Sequence, residues 1–411
     1  MIGPLLGEAK TSGLWNPLAE LKCIRCDARF AIDACLFDGC PACARRAPLV
    51  VNYGETQLPK GDLQAGIAAV GVARSPIIAE RMIALGQGAT PLVAVPRSPG
   101  QLFVKVEGQN PTGSHKDRFH AIAEPIAVAL GFRSVVASST GNHGLACAAY
   151  AAAAGLNALV LLNKDAPDAL AVQLGLHGAA IGVIPDAVAQ TVALLVDEHC
   201  WYPSTSADPT LAGRANPYGT EGYKGIAYEI VADLGRVPDV VTIPAASGDT
   251  FYGIWRGFKD LNELLGLPMP LLLACQPEGA APLALTALSD GDEPCEVANP
   301  TSLALSTRDG RSGWHATIAA RDGGEVVTIS EELLRSTILE LGQQGFGVEA
   351  ASALSVAAVT TARAQGKIDA ESTVVALLTS SNGNWTEDLA AAFGPPEIAD
   401  TPAAVLANAL A

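Results

Sequence analysis

The sequence predicts an α/β protein with mostly parallel sheets covered by helices, preceded by a small cysteine-bearing module. Three observations carry this. Apolar runs of strand length alternate with alanine-rich helical runs from about residue 92 onward. Strands read as continuous apolar runs when both faces of their sheet are covered. Small, polar turns follow several of these runs, at the strand-to-helix junctions where such sheets place their ligands. Two Cys-x-x-Cys pairs stand near the start of the chain.

At 411 residues the chain is long enough for two domains and a module. Hydrophobic residues make up 49%, much of it alanine, and no apolar run reaches membrane-spanning length without small or polar interruption. No charged-then-apolar leader is read at the start, so a cytoplasmic protein is expected. A net charge of −16 argues against a nucleic-acid partner. It leaves room for an anionic cofactor held locally at a helix N-terminus. Nine cysteines, an odd count, suit a reducing compartment better than a disulfide framework.

Residues 1–50 form the module. Cys23-Ile-Arg-Cys26 and Cys40-Pro-Ala-Cys43 are separated by thirteen residues. Each pair offers two thiolates to one ion, and two pairs complete a closed tetrahedral site, so Cys23, Cys26, Cys40 and Cys43 read as a structural zinc ribbon. Cys35 is a spare thiol, and Lys22 and Arg25 are placed to offset thiolate charge. Two other readings stay open: a metal-free remnant, or a redox-active pair.

The strand-like run Leu102–Val106 leads into Glu107-Gly-Gln-Asn-Pro-Thr-Gly-Ser-His-Lys-Asp-Arg118. A Pro-Thr-Gly turn follows the strand, and a helix pattern begins near Phe119. Lys116 is therefore held at a turn-to-helix junction, two positions after Ser114. A lysine kept from full protonation there can form a Schiff base with a carbonyl. Alone, such a lysine is ordinarily a solvated surface residue.

Further strands are expected at 135–138, 158–162, 240–244, 271–274 and 374–378, each followed by a candidate turn or helix. Ser138-Ser-Thr-Gly-Asn-His-Gly144 precedes the helical run Leu145–Ala154 and reads either as a binding turn or as an ordinary helix cap. Ile243-Pro-Ala-Ala-Ser-Gly-Asp-Thr250 precedes the helical run Phe251–Leu265. Its small residues let an anion approach the backbone, with Asp249 expected to point away and cap the helix. Leu378-Thr-Ser-Ser-Asn-Gly-Asn384 closes the last apolar strand. The tail Phe393–Ala411 reads as a proline turn and a short helix against a neighbouring subunit.

The string around Lys116 resembles the Schiff-base motif of the threonine synthase family, with His115 where the family usually has Phe and Phe119 where it usually has Gly. The cysteine pairs, the 138–144 turn, the 243–250 loop and the 378–384 turn resemble that family's segments in the same order. The resemblance implies a fold-type II enzyme that uses pyridoxal 5′-phosphate (PLP). It implies a large domain from residues 51–119 and 226–411, a small mobile domain from 120–225, and a homodimer. Lys116 would be the cofactor lysine, and Ser114, Asn142, Ala246, Ser247, Gly248, Asp249, Thr250, Thr379 and Ser380 would bind the cofactor. Asn142 would contact its phenolic oxygen, and Thr379, or Ser380 beside it, its pyridine nitrogen. A hydroxyl there suits elimination or replacement at Cβ or Cγ of an amino acid. Ser139, Thr140, Gly141, His143 and Lys224 would line the substrate site, although Lys224 reads equally as a solvated helix-start lysine. Glu349 borders the site or is a plain helix N-terminal acid. His177 and His315 read as structural, while His115 and His143 flank the site.

One departure bears on the substrate. Asn216-Pro-Tyr-Gly-Thr-Glu-Gly-Tyr-Lys224 resembles a segment whose arginine helps bind the phosphate of O-phosphohomoserine, and Gly219 stands in its place. Glycine cannot replace a bidentate guanidinium, although Arg214 is near enough in sequence to substitute. Threonine synthase chemistry is thus the first expectation. The alternative is a β-eliminating or β-replacing enzyme on another amino acid, such as an ammonia-lyase, a dehydratase, or a cysteate- or diaminopropionate-type synthase. A non-catalytic scaffold protein is the contrasting reading, and the retained Lys116 argues against it.

Overall fold

The structure is a computed structural model, and it describes residues 15–43, 46–58, 61–78, 82–95, 100–139, 141–162, 168–184, 187–289, 293–381, 383 and 386–394. Most of the expected C-terminal tail and Thr140 lie outside them. Among the described residues no helix is long and apolar enough to cross a membrane.

Thirteen strands are described, in three sheets. Strands β1 (Ala19–Cys23), β2 (Arg29–Ala31) and β3 (Leu49–Tyr53) make an antiparallel sheet in the order β2-β1-β3. The largest sheet draws on β4 (Leu92–Ala94), β5 (Gln101–Val106), β10 (Val240–Pro244), β11 (Leu271–Pro277), β12 (Gly324–Ile329) and β13 (Thr373–Leu378). A third sheet holds β6 (Ser134–Ser139), β7 (Asn157–Leu162), β8 (Ala180–Val183) and β9 (Tyr202–Pro203). The orders are β12-β11-β10-β13-β5-β4 and β8-β7-β6-β9. Every pairing in these two is parallel except β4 with β5.

The apolar runs are continuous because both faces of the large sheet are covered. On one face Val241, Ile243, Val375 and Leu377 join the core shared with the helices Lys224–Leu234 and Asp249–Leu265. On the other, Val240, Val374, Ala376 and Leu378 pack with the helices Glu331–Gln343 and Ala350–Ala364. Strand β13 sits between β10 and β5. The carboxyl ends of these three strands therefore open side by side, and the turns that carry Lys116, Ser247 and Thr379 emerge there, while the 138–144 turn follows β6 in the other sheet.

Candidate active site

The helix Lys116–Ala129 begins three residues earlier than its pattern suggests. The turn before it is fastened to the end of β13. His115 N donates to Thr379 O at 2.8 Å, and Ser381 N to Gly113 O at 3.0 Å, with Ser114 and Ser380 bridged antiparallel. Ser114 Oγ accepts from Lys116 N at 3.2 Å. Asp117 and Arg118 anchor the helix. Asp117 accepts from Thr112 through its backbone N and its hydroxyl. Buried Arg118 grips Glu107 at 2.7 Å and Glu229 at 2.7 Å.

Lys116 opens onto a cavity of about 420 Å3, also lined by Asn142, His143, Ser247, Thr250 and Thr379. The volume suits a small-molecule site. Lys116 Nζ lies 3.3 Å from the Tyr223 hydroxyl. Burial lowers its basicity, against the opposing pull of Asp249, Glu349 and Asp309. His115 is fixed between Thr250 Oγ1 (2.9 Å) and Thr379 O (3.0 Å). Burial and the nearby Lys116 charge hold that ring well below its ordinary pKa, so it is neutral.

From the other sheet, Asn142 is the first residue of the helix Asn142–Ala154, three positions before its expected start. Its Nδ2 donates to Glu349 Oε2 at 3.0 Å, while Ser306 Oγ donates to Glu349 Oε1 at 3.1 Å. Glu349 thus borders the cavity, and burial raises its carboxyl pKa. Ser139 lines the cavity, but its hydroxyl is engaged by Gly141 N at 2.9 Å and Gly144 N at 2.7 Å.

The 245–250 loop leads into the helix Asp249–Leu265. Gly248 takes φ 97°, and a Cβ there would come within 2.1 Å of Ala316 Cβ, so glycine is required. Asp249 does not cap the helix as expected. Its Oδ1 accepts from Ser206 Oγ and Ala207 N, both at 3.1 Å, and lies 2.8 Å from His315 Nε2. Burial opposes its ionisation, but His315, then Lys116, outweigh that and hold the carboxyl below its usual range. The charge of Asp249 is thereby answered by His315.

Four expectations change. Lys224 is fully buried away from the cavity, bonded to Arg74 O (2.8 Å), Glu221 (2.8 Å) and Asp260 (2.7 Å). Arg214 pairs with Asp38 and Asp197 instead of reaching the site. Ser380 is buried but does not line the cavity, whereas Thr379 does and contacts Ser352 Oγ at 2.9 Å. The Arg25 guanidinium lies over the Trp314 ring at 4.9 Å, and it is the Arg25 backbone N that reaches a cysteine sulfur. The sequence reading missed Asp309, whose carboxyl burial pushes up to about 6, and Arg311, both on the cavity wall. They lie in an irregular loop with no periodic signal.

Gly219 has a steric cause. A Cβ there would stand 2.2–2.4 Å from the Phe119 ring. The ring occupies the volume into which a side chain at 219 would project.

In the module, Cys23 and Cys43 sulfurs are 3.6 Å apart and Cys26 and Cys40 sulfurs 3.7 Å, with all four within 4.8 Å. Tetrahedral zinc with 2.3 Å bonds places thiolates about 3.8 Å apart, so the set fits that ion. Arg25 N and Cys26 N also point to Cys23 Sγ, at 3.4 and 3.5 Å. Cys35 stands outside the cluster.

PLP fits the cavity equally well. A desolvated lysine, a small-residue loop at a helix N-terminus, an amide and a strand-end hydroxyl face it from different sides. Comparison agrees. The family described as pyridoxal-phosphate dependent enzyme matches residues 83–380. A threonine synthase from Methanosarcina acetivorans is 31% identical over 88% of this chain and 91% of its own length. One from Mycobacterium tuberculosis is 36% identical over 74% and 84%. Among solved structures, a threonine deaminase from T.th. superposes with TM-score 0.63 at 23% identity, covering 78% of this chain and 98% of that one. Maize serine racemase gives 0.65 at 18%, covering 81% and 97%. The chain belongs to the PLP-dependent enzymes of fold type II, within the threonine synthase family.

Proposed function

We propose that the protein catalyses elimination or replacement at Cβ or Cγ of an amino acid, as a PLP-dependent carbon–oxygen lyase, with O-phosphohomoserine to threonine as the first candidate reaction. The observation that carries this is Lys116, desolvated at the meeting point of the 245–250 loop, Asn142 and Thr379. PLP bound here would supply a carbonyl carbon for Lys116 and an electron sink for charge developing at Cα. Lys116, within reach of Tyr223, takes the Cα proton and returns it where the reaction requires. Asn142, whose amide now donates to Glu349, would be the donor to the cofactor's phenolic oxygen, and the Thr379 hydroxyl would serve its ring nitrogen without adding charge. The buried walls keep water from the reacting carbon. The four cysteines of the module would hold a structural zinc.

The packing of Phe119 on Gly219 favours a second reading, a β-eliminating or β-replacing enzyme on a non-phosphorylated amino acid. The test is an absorption spectrum of purified protein with candidate amino acids, beside Lys116→Ala. A visible band that borohydride fixes to Lys116 supports the cofactor assignment. Release of threonine and phosphate from O-phosphohomoserine supports the first reading. A spectral response only to serine, threonine or diaminopropionate supports the second. A colourless protein that takes up no PLP sinks both.

A further inference from the structure

The helices Lys116–Ala129 and Asn142–Ala154 carry a second set of donors behind the cavity wall. His120, Glu124 and Cys147 are completely buried, and one donor atom from each lies within 4.8 Å of the others. His120 and Glu124 share a helix face at a spacing of four.

Hydrogen-bond direction fixes the protons here. His143 Nε2 lies 2.9 Å from Ser204 O, and a carbonyl only accepts, so this nitrogen carries hydrogen. In the neutral ring, Nδ1 of His143 then accepts, at 3.2 Å, from His120 Nε2. That leaves His120 Nδ1 without hydrogen, 2.9 Å from Glu124 Oε1. Two acceptors at that distance need a positive centre between them. Ser204 Oγ already donates to the same Oε1 at 2.7 Å. Glu124 Oε2 is buried without a hydrogen-bond partner. A lone-pair nitrogen, an orphaned carboxylate oxygen and a thiol sulfur therefore converge in a site closed to water.

We propose that His120, Glu124 and Cys147 form a second metal site, for a divalent ion of the zinc class, distinct from the four-cysteine cluster. The donor set of nitrogen, oxygen and sulfur matches that ion. Tetrahedral donors stand about 3.4 Å apart, so donor atoms now within 4.8 Å of one another would have to draw together around the ion. The ion replaces the proton between Glu124 and His120 and the thiol proton of Cys147. Both protons leave to solvent, and the double charge meets two anions and a neutral ring. Ser204 Oγ, 3.3 Å from His120 Nδ1, stands ready as a fourth ligand. His120 donates its other ring hydrogen to His143, which in turn donates to the Ser204 carbonyl, so the imidazole is fixed in orientation. The ion clamps together the two helices whose first residues are Lys116 and Asn142.

Metal content decides the matter without reference to activity. Full-length holoprotein with Cys26→Ser and Cys43→Ser, produced in zinc-rich medium, should retain about one zinc per chain. Adding Cys147→Ser should reduce this to near zero. If the Cys26→Ser, Cys43→Ser double variant is folded, judged by near-ultraviolet circular dichroism and an intact cofactor band, and holds no metal, the proposal is overturned. Should the variants fail to fold, cobalt loading of the wild-type protein decides. Two equivalents, the second with bands of mixed nitrogen, oxygen and sulfur ligation, support the site. Saturation at one equivalent with the four-sulfur spectrum overturns it.

Discussion

Replacing Gly219 by alanine tests the contact that separates the two substrate readings. The new Cβ would lie 2.2, 2.3 and 2.4 Å from three Phe119 ring carbons. Carbon atoms rest at about 3.5–4.0 Å, so ring or backbone must move by more than an ångström. The ring has little freedom to do so. It is fully buried and held by His120 at 5.0 Å, His143 at 5.1 Å and Tyr223 at 6.0 Å between centroids. Overpacking of this kind costs about 1–3 kcal/mol. Phe119→Ala alone should cost about 3–5 kcal/mol through the cavity it leaves. In the double variant the clash disappears and the added methyl fills part of the void. The two costs should therefore fall short of their sum by about 1–3 kcal/mol. Urea titrations of the four proteins, compared through their first cooperative transition, give the coupling directly. Additive costs, or a Gly219→Ala penalty below about 0.5 kcal/mol, would refute the view that Phe119 bars side chains from this position.

Other expectations follow from the same geometry. Arg118→Gln removes the cation from buried Glu107 and leaves that charge only the Thr90 hydroxyl and the Asn110 amide, and should destabilise by about 3–5 kcal/mol in the same titrations. Asp309 binds its proton more tightly when folded, since burial lifts its pKa from 3.8 to about 6. Its contribution to stability is therefore present below pH 4 and lost as pH rises through 6. Asp309→Asn should accordingly stabilise the protein by about 3 kcal/mol at pH 7.5 and change it little below about pH 3. For Asp249 the sign is opposite, because its folded pKa is depressed. The stability it provides holds above the ordinary carboxylate pKa and fails as pH falls below it, and His315→Asn should flatten that acid limb. Cys26→Ser should release zinc from the module and lower the melting temperature while leaving the cofactor spectrum unchanged. A parallel loss of the visible band would show that the metal does more than brace the module.

Much of this architecture can be read from the chain, because its core strands are buried on both sides. Val240–Pro244 and Thr373–Leu378 have no polar face to break the apolar run. Turns after β5, β6, β10 and β13 line one cavity, so Lys116, Asn142, the 246–250 loop and Thr379 can be singled out as candidates by position along the sequence. Contacts set by tertiary packing leave no such trace. Lys224 looks like a solvated lysine or a ligand until Glu221, Asp260 and the Arg74 carbonyl enclose it. Asp249 reads as a helix cap because His315, far along the chain, is invisible beside it. Asp309 belongs to an irregular loop, where no periodicity marks which side chain turns inward. His120 and Glu124 sit in a helix dominated by alanine and other apolar residues, and the Cys147 that completes their group lies on the next helix.

The central place of β13 bears on how the protein is made. The strand that completes the large sheet between β10 and β5 is also the last one synthesised among those described. The turn carrying Lys116 is held by backbone bonds to the residues just beyond it. A nascent chain lacking residue 373 onward therefore has a gap through the middle of its sheet and nothing to seat its reactive lysine. Cofactor capture is then expected to wait until translation is nearly complete, so that partial products cannot tie up pyridoxal phosphate.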